Sequence, residues 1–161
     1  MFFLKKFKKG KRGVTLLEII LVLAILAILA ASSVGGLSAY RGKQVLSGET
    51  SQVAAIFSKA RSQTLASRSE LSYGVRLETD RVTLYTGPTF DSVPGTREEY
   101  VLHNMVNLTD ISLSGGGTDV LFERLTGETA SYGTFRVTLL SDTSQHNTFS
   151  IKQTGLTGLE N

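Results

Sequence analysis

The feature that most constrains this chain is a run of basic residues that meets an apolar helix at a single glycine. Six of the 17 Lys and Arg residues precede Gly13. Beyond it, thirteen apolar residues follow one another without a break from Ile19 to Ala31. As one helix, residues 14–37 would be about 36 Å long, enough to cross a hydrocarbon core of ~30 Å. Glu18 is the one charged residue in that segment, and a charge within a membrane is costly and commonly functional.

Gly13 is followed by Val14-Thr15-Leu16-Leu17-Glu18 and then by the apolar run. This arrangement resembles the N-terminal signal of type IV prepilins and type II secretion pseudopilins. The resemblance implies that prepilin peptidase cuts between Gly13 and Val14. It also implies that Val14, where the family usually has phenylalanine or methionine, becomes N-methylated. The partners implied are prepilin peptidase, other pilin or pseudopilin subunits and an inner-membrane assembly platform.

A physical role for Glu18 follows from its distance to the expected cut. Cleavage after Gly13 would leave an ammonium group on Val14, four residues before Glu18 and on the same helix face. Glu18 could neutralise its own terminus or pair with the ammonium of a neighbouring helix. Because an unpaired buried charge costs several kcal/mol, pairing between helices would favour one axial register. The alternative is a polar residue tolerated at an interfacial helix end by snorkelling.

The net charge of +3 hides an uneven distribution of charges. Without the leader, 11 basic and 14 acidic side chains remain, and residues 71–161 carry six basic and eleven acidic ones. This acidic C-terminal part argues against a nucleic-acid surface built on net charge. Since Lys and Arg stay on the cytoplasmic side, the leader predicts a single-pass protein with its N-terminus cytoplasmic and its C-terminal part outside. The resemblance implies that the membrane is the bacterial inner membrane and that the protein later enters a pilus or pseudopilus.

An ordinary secretory signal peptide is the rival interpretation of residues 1–34. It also begins with basic residues, and Leu29-Ala30-Ala31-Ser32 offers small residues to signal peptidase. Against it, the apolar region is longer than the usual ~7–15 residues and has a carboxylate inside it. The chain has no cysteine, so disulfide and thiol chemistry are excluded.

Beyond the apolar segment, the hydrophobic period changes from that of a helix to that of strands. Apolar residues three or four apart from Leu46 to Leu65 predict an amphipathic helix that ends near Arg68. Alternating residues then predict strands. They cover Leu71–Glu78, Val82–Thr86, Glu99–His103, Val106–Leu113, Val120–Leu125, Thr134–Leu140 and Thr148–Gln153, with a loop at Gly87–Thr96 and an ambiguous tail at Gly155–Leu159.

This order of elements predicts an α+β protein with a pilin-like fold. Its long N-terminal helix would have a transmembrane half and an amphipathic half, the latter packed on an antiparallel β-sheet head. The predicted division is a basic leader (1–13), a transmembrane and assembly helix (14–37) and a pilin-like globular head (38–161).

A second, more limited similarity concerns the head. The run Leu121–Gly127 followed by Gly133–Leu139 is similar to the GspH/FimT class of minor pilins and pseudopilins. DNA binding by some members is associated with a basic C-terminal tail, and here Leu156-Thr157 stands in its place. The only concentration of basic residues after the leader is on the predicted helix, at Arg41, Lys43, Lys59, Arg61 and Arg68.

The remaining polar residues match no motif for catalysis or metal binding. His103 and His146 are the only histidines, and neither has an acidic or serine partner at a motif spacing. Asp110, Asp119 and Asp142 could meet around calcium but lack the compact spacing of an EF-hand loop, so solvated turn residues are favoured. The sequence therefore predicts no enzyme, no cofactor and no metal. An exported hydrolase behind a signal peptide would lack its catalytic residues.

The function predicted from the sequence is that of a minor pilin or pseudopilin. It would be a structural subunit processed by prepilin peptidase and assembled into a type IV pilus or a type II secretion pseudopilus. The alternative is a pilus-tip protein for DNA uptake or adhesion, with the basic residues of the helix as its contact surface.

Overall fold

One long helix opens the described part of the chain. The computed structural model describes residues 13–66, 71–90 and 97–160, and of residues 32–39 only the backbone. Helix α1 spans Leu16–Leu65, 50 residues. The predicted helix end near Arg68 falls in residues 67–70, and most of the leader in residues 1–12, so both lie outside the described residues.

By its internal contacts the chain divides into two compact units, Met1–Ala39 and Tyr40–Asn161. In the first unit, the large apolar side chains from Val14 to Leu29 are exposed. Within the part of the chain that the structure describes, no helical stretch is long and apolar enough to span a bilayer. The predicted membrane segment, residues 14–37, extends into the residues whose side chains are not described. That segment and the boundary after it stay predictions.

Eight antiparallel strands follow the helix in the described residues. They are β1 (Tyr73–Leu77), β2 (Arg81–Thr86), β3 (Arg97–Val101), β4 (Val106–Leu113), β5 (Asp119–Leu121), β6 (Gly133–Leu139), β7 (His146–Ile151) and β8 (Thr157–Glu160). One four-stranded sheet has the order β3-β2-β1-β5 and the other the order β4-β6-β7-β8. The predicted fold class, α+β with a helix packed on antiparallel strands, is confirmed.

The sheet registers place the alternating apolar residues on the covered faces. In the first sheet, Val75 of β1 lies opposite Leu84 of β2 and Val120 of β5. In the second, Phe135 of β6 lies opposite Phe149 of β7. All five side chains are buried. A one-residue slip would turn each strand's apolar set to solvent, so this pattern fixes the pairing once the partners are chosen.

The C-terminal half of α1 and both sheets share one core centred on Phe57. The Phe57 ring meets Phe122 edge-on at 6.5 Å and stacks on Phe135 at 5.7 Å, which in turn stacks on Phe149 at 4.9 Å. Val53, one turn earlier on α1, is also fully buried. The amphipathic pattern predicted for this half of the helix is thus its packing face.

The structure differs from the sequence prediction in the details of the sheets. The strands divide between two sheets, not one. The ambiguous tail contains β8, which pairs with β7. The strand predicted at Val120–Leu125 is only Asp119–Leu121, because the chain turns at Leu125, which has φ 71°. Residues 91–96 of the predicted Gly87–Thr96 loop lie outside the described residues.

Candidate functional site

Thr15 caps the N-terminus of helix α1. Its hydroxyl accepts a hydrogen bond from the backbone N–H of Glu18 at 3.2 Å. Its carbonyl oxygen accepts from the N–H groups of Glu18 at 3.1 Å and Ile19 at 3.3 Å. Thr15 is therefore the N-cap of α1 and Glu18 its third residue, the positions of a capping box. A cap of this kind stabilises a helix by about 1 kcal/mol.

This geometry assigns to Glu18 a role that the sequence analysis missed. A carboxylate in the first helical turn is stabilised by the positive end of the helix dipole. The signal was present, because Thr-x-x-Glu before an apolar run is the signature of a capping box. Glu18 therefore has a local reason to exist beside the predicted pairing with an ammonium group.

Gly13 lies just before this cap, in open surroundings. A Cβ built on it would meet no heavy atom of the described chain within 4 Å. Packing therefore gives no reason for glycine here, and a requirement for it would come from recognition by another protein. The cut between Gly13 and Val14 and the methylation of Val14 stay predictions.

From Val14 to Leu29, α1 presents large apolar side chains on all sides. Leu16 and Leu17 are 76% and 73% exposed, and even Val22, the least exposed of this set, is 48% exposed. A helix that is apolar all round is stable when it is surrounded by lipid or by other apolar elements. Residues 13–31, with this surface and the capped Glu18, form the candidate site, called here the assembly segment.

Two basic residues on the C-terminal half of α1, Lys59 and Arg61, form hydrogen bonds with residues on or next to the strands. Nζ of Lys59 donates to Oε1 of Glu98 on β3 at 2.8 Å. Nη2 of Arg61 reaches the carbonyl of Thr154, after β7, at 3.4 Å. The ion pair holds Lys59 against β3, which reduces what this side chain offers to a phosphate backbone.

The other basic residues of the helix lie apart from them. Arg41 and Lys43 are exposed, but Lys43 precedes Lys59 by 16 residues, about 24 Å along a helix. Arg68 lies outside the described residues. The basic surface predicted for DNA binding is thus not assembled by the described helix.

The three aspartates considered for calcium lie in separate places. Asp110 pairs with Arg136 at 2.7 Å, and Asp119 forms two hydrogen bonds of 2.7 Å with Arg76. Asp142 accepts from the backbone N–H and the hydroxyl of Ser144, and these bonds lower its pKa. Residues 13–66, 71–90 and 97–160 contain no cluster of three or more His, Cys, Asp or Glu side chains suited to a metal.

The two histidines are exposed, and the side chain of each contacts the backbone of a residue two or three positions away. Nδ1 of His103 accepts from the backbone N–H of Met105 at 3.2 Å. Nδ1 of His146 lies 3.4 Å from the carbonyl of Thr143. His103 follows the end of β3, and His146 is the first residue of β7, so His103 lies outside the strand predicted at Glu99–His103. Both are surface residues, as expected.

An arginine–aromatic cluster on the first sheet was not foreseen. The Phe90 ring has the guanidinium carbon of Arg76 at 3.8 Å and that of Arg97 at 4.1 Å from its centroid. Arg97 also donates to the Phe90 carbonyl at 2.8 Å. The three residues match no motif, so only the folded chain reveals that the two arginines hold Phe90, just after β2, to the sheet.

Comparison with known proteins gives a sequence match for the N-terminal segment and a structural match for the fold. Residues 8–34 match the prokaryotic N-terminal methylation motif. No curated protein matches the chain in sequence. Two crystal forms of the type IV minor pilin FimU from Pseudomonas aeruginosa are similar in structure. Their TM-scores are 0.54 and 0.55 at 16% identity, over 72% of this chain and 88% and 93% of those chains.

At this identity the likeness to FimU shows the fold alone. The chain thus carries a prepilin-type methylation motif and has a fold similar to that of a type IV minor pilin. The resemblance stated from the sequence is confirmed for the motif and for the fold.

Proposed function

We propose that this chain is a minor pilin or pseudopilin, a structural subunit of a filament of the type IV pilus or type II secretion class. The observation that carries the proposal is the assembly segment: a methylation motif leading into an exposed, apolar helix whose only charge, Glu18, sits in its capped first turn. The minor-pilin-like fold of the head supports the same function. Prepilin peptidase, other pilin subunits and the assembly platform would be its partners.

The subunit would first be held in the bacterial inner membrane by residues 14–37, with the leader cytoplasmic and the head outside. Prepilin peptidase would cut after Gly13, and Val14 would be methylated. On assembly the apolar helices would leave lipid for a bundle of like helices. Because lipid tails are as apolar as these side chains, packing and polar contacts decide how the helices associate.

Glu18 would supply the polar contact that sets the register. In a bundle, its carboxylate would meet the Val14 ammonium of a neighbouring subunit. An unpaired charge there would cost about 3–5 kcal/mol, so subunits whose helices slip along the axis would be disfavoured. Because Thr15 caps α1, Glu18 lies in the first turn of the helix, four residues after Val14.

Mass spectrometry of the mature N-terminus tests the proposal. We expect N-methylated Val14 in the wild type and an uncut chain in Gly13→Ala, because the peptidase requires glycine. Since an added Cβ at residue 13 meets nothing in the described chain, this variant should fold normally. A chain that starts near Ser32 would indicate an ordinary signal peptide. Normal processing of Gly13→Ala would contradict the prepilin proposal.

A further inference from the structure

A groove of about 490 Å³ runs between the C-terminal half of α1 and strand β8. Its apolar walls are provided by Phe57 and Leu65 on α1 and by Leu156 before β8, and Arg61 contributes a charge. The volume is in the range of clefts that bind ligands in proteins. All of these residues belong to the unit Tyr40–Asn161.

One wall of the groove is a strand edge that no described strand covers. β8 is the last strand of its sheet. Proteins usually protect such edges with charges, bulges or short strands. β8 presents Thr157, Gly158 and Leu159 before its single charge, Glu160, and Leu159 is 55% exposed.

The other three edges are protected. β3 presents the charged run 97–99, β5 has only three residues, and β4 is bulged at Asp110, which has φ 49°. The edge of β8 is also short, four residues, but its only charge is at its last residue, Glu160, and its first residue, Thr157, lines the larger groove.

The two sides of α1 also differ in the hydrogen bonds that connect the helix to the neighbouring strands. On the β3 side, Lys59 pairs with Glu98, and the Tyr100 hydroxyl donates to Glu49 at 3.0 Å. On the β8 side, Arg61 donates across the gap to the Thr154 carbonyl at the longer distance of 3.4 Å. A smaller groove of about 230 Å³ also lies on the β3 side, but Lys59, Glu98 and Tyr100 in its wall form the hydrogen bonds that connect α1 to β3.

Arg61 has hydrogen-bonding capacity to spare. Its Nε is buried and meets no acceptor among the described residues, although buried donors are normally satisfied. A carboxylate is the group that pairs best with a guanidinium, through two parallel hydrogen bonds.

We propose that this groove binds an extended, acidic segment of another filament subunit, which adds as a fifth strand beside β8 and places a carboxylate at Arg61. Strand addition supplies main-chain hydrogen bonds, while alternate side chains enter the pockets of the groove. Leu65 and Leu156, which are exposed, would contact the apolar side chains of that segment. The identity of the partner as a filament subunit rests on the proposed function; the binding of an acidic strand does not.

The test uses the full chain in detergent micelles and a capped peptide, acetyl-Thr-Val-Glu-Val-Thr-Trp-amide. Because the protein has no tryptophan, a change in fluorescence belongs wholly to the peptide. We expect this peptide to bind about twofold to fivefold more tightly than its glutamine counterpart, the range for a partly exposed ion pair. Arg61→Gln should remove that difference.

Two matched edge variants locate the binding. Leu159→Lys places a charge on the edge of β8 and should abolish binding of the peptide. Val101→Lys places the same charge on β3, where the side chain is 61% exposed, and should leave binding unchanged. Both positions are exposed, so folding should survive, as circular dichroism would verify.

Equal binding of the two peptides, or binding that survives Leu159→Lys, would overturn the proposal. Competition by a single-stranded oligonucleotide would overturn it in favour of a phosphate site. Self-association that Leu159→Lys abolishes would overturn it in favour of a second copy of this chain. If the wild-type chain is correctly processed to Val14 but does not bind the peptide, the proposed binding at the groove is refuted and the filament function is not. Peptide binding by a chain that is never cut after Gly13 refutes the filament function alone.

Discussion

At the scale of single residues, Glu18 has one observed interaction and one proposed interaction. Its backbone N–H donates to the Thr15 hydroxyl in the helix cap, a bond that glutamine at this position would keep. As the partner of a buried ammonium it would prevent a cost of about 3–5 kcal/mol, which glutamine cannot do. The two roles therefore predict different behaviour for Glu18→Gln.

We expect Glu18→Gln and Glu18→Val to be processed normally and to enter filaments poorly. The residue lies after the scissile bond, so cleavage should be spared, and valine suits a bilayer better than glutamate. Incorporation should fall more than tenfold in both variants, because both leave an ammonium group unpaired. The measurement pairs N-terminal mass spectrometry with recovery of the subunit in sheared filaments.

Thr15→Val is the matched control for the cap. It removes the hydroxyl that binds the Glu18 N–H and keeps the carboxylate, so its effect should be small. Wild-type incorporation of Glu18→Gln would mean that the residue serves only to start the helix, and that packing alone sets the register.

At the scale of elements, strands β1, β2 and β5 meet around Tyr85. Gly74 of β1 lies opposite Tyr85 of β2, and a Cβ on Gly74 would overlap the ring, 2.3 Å from Cζ. The ring thus occupies the space that the missing side chain leaves. Burial, and after it the charge of Asp119 on β5, raises the pKa of Tyr85 to about 12.

This shift predicts a loss of stability in alkali. A tyrosine of ordinary pKa 10.0 that titrates near 12 in the fold contributes stability fully below pH 10, and the contribution disappears as the pH rises through about 12. Between these values the unfolded chain loses its proton first. Denaturant midpoints measured from pH 9 to 12 should fall in the wild type and fall less in Tyr85→Phe.

The exposed Tyr132 offers the control for this experiment. Tyr132→Phe should retain the wild-type loss, since its side chain is already in contact with water. An alkaline loss that is identical in Tyr85→Phe and the wild type would show that other groups cause it.

At the scale of the whole molecule, the buried apolar side chains of the described residues all lie between Leu46 and Ile151. Residues 38–161 should therefore fold as a soluble monomer when expressed without the assembly segment. Circular dichroism and light scattering after size-exclusion chromatography would measure this. Residues 71–161 alone should aggregate, because Phe57 and the rest of α1 no longer cover Phe135. Aggregation of residues 38–161 would contradict the predicted boundary after Leu37.

Most of the architecture could be predicted from local pattern. The amphipathic period placed Val53 and Phe57 on the packing face of α1, and strict alternation identified the central strands β1 and β6. β8 could not be predicted, because Thr157-Gly158-Leu159-Glu160 has little alternation of its own. It becomes a strand by pairing with β7, a partner that the periodicity of the tail does not reveal.

The sequence by itself determined the character of the N-terminal segment and the helix-then-strands order of the chain. The segment consists of neighbours along the chain: a basic leader, a glycine, a glutamate and an apolar run. Their combination can therefore be recognised from the sequence without knowledge of the fold. Only the tertiary structure decided the division into two sheets, the contacts of Arg61 and Lys59, and the separation of the three aspartates. Those outcomes depend on which distant residues become neighbours, as where Gly155 packs so closely on the Gly127 carbonyl that a Cβ would lie 1.8 Å from its oxygen. Strand pairing and core packing create such neighbours, and local propensity does not encode them.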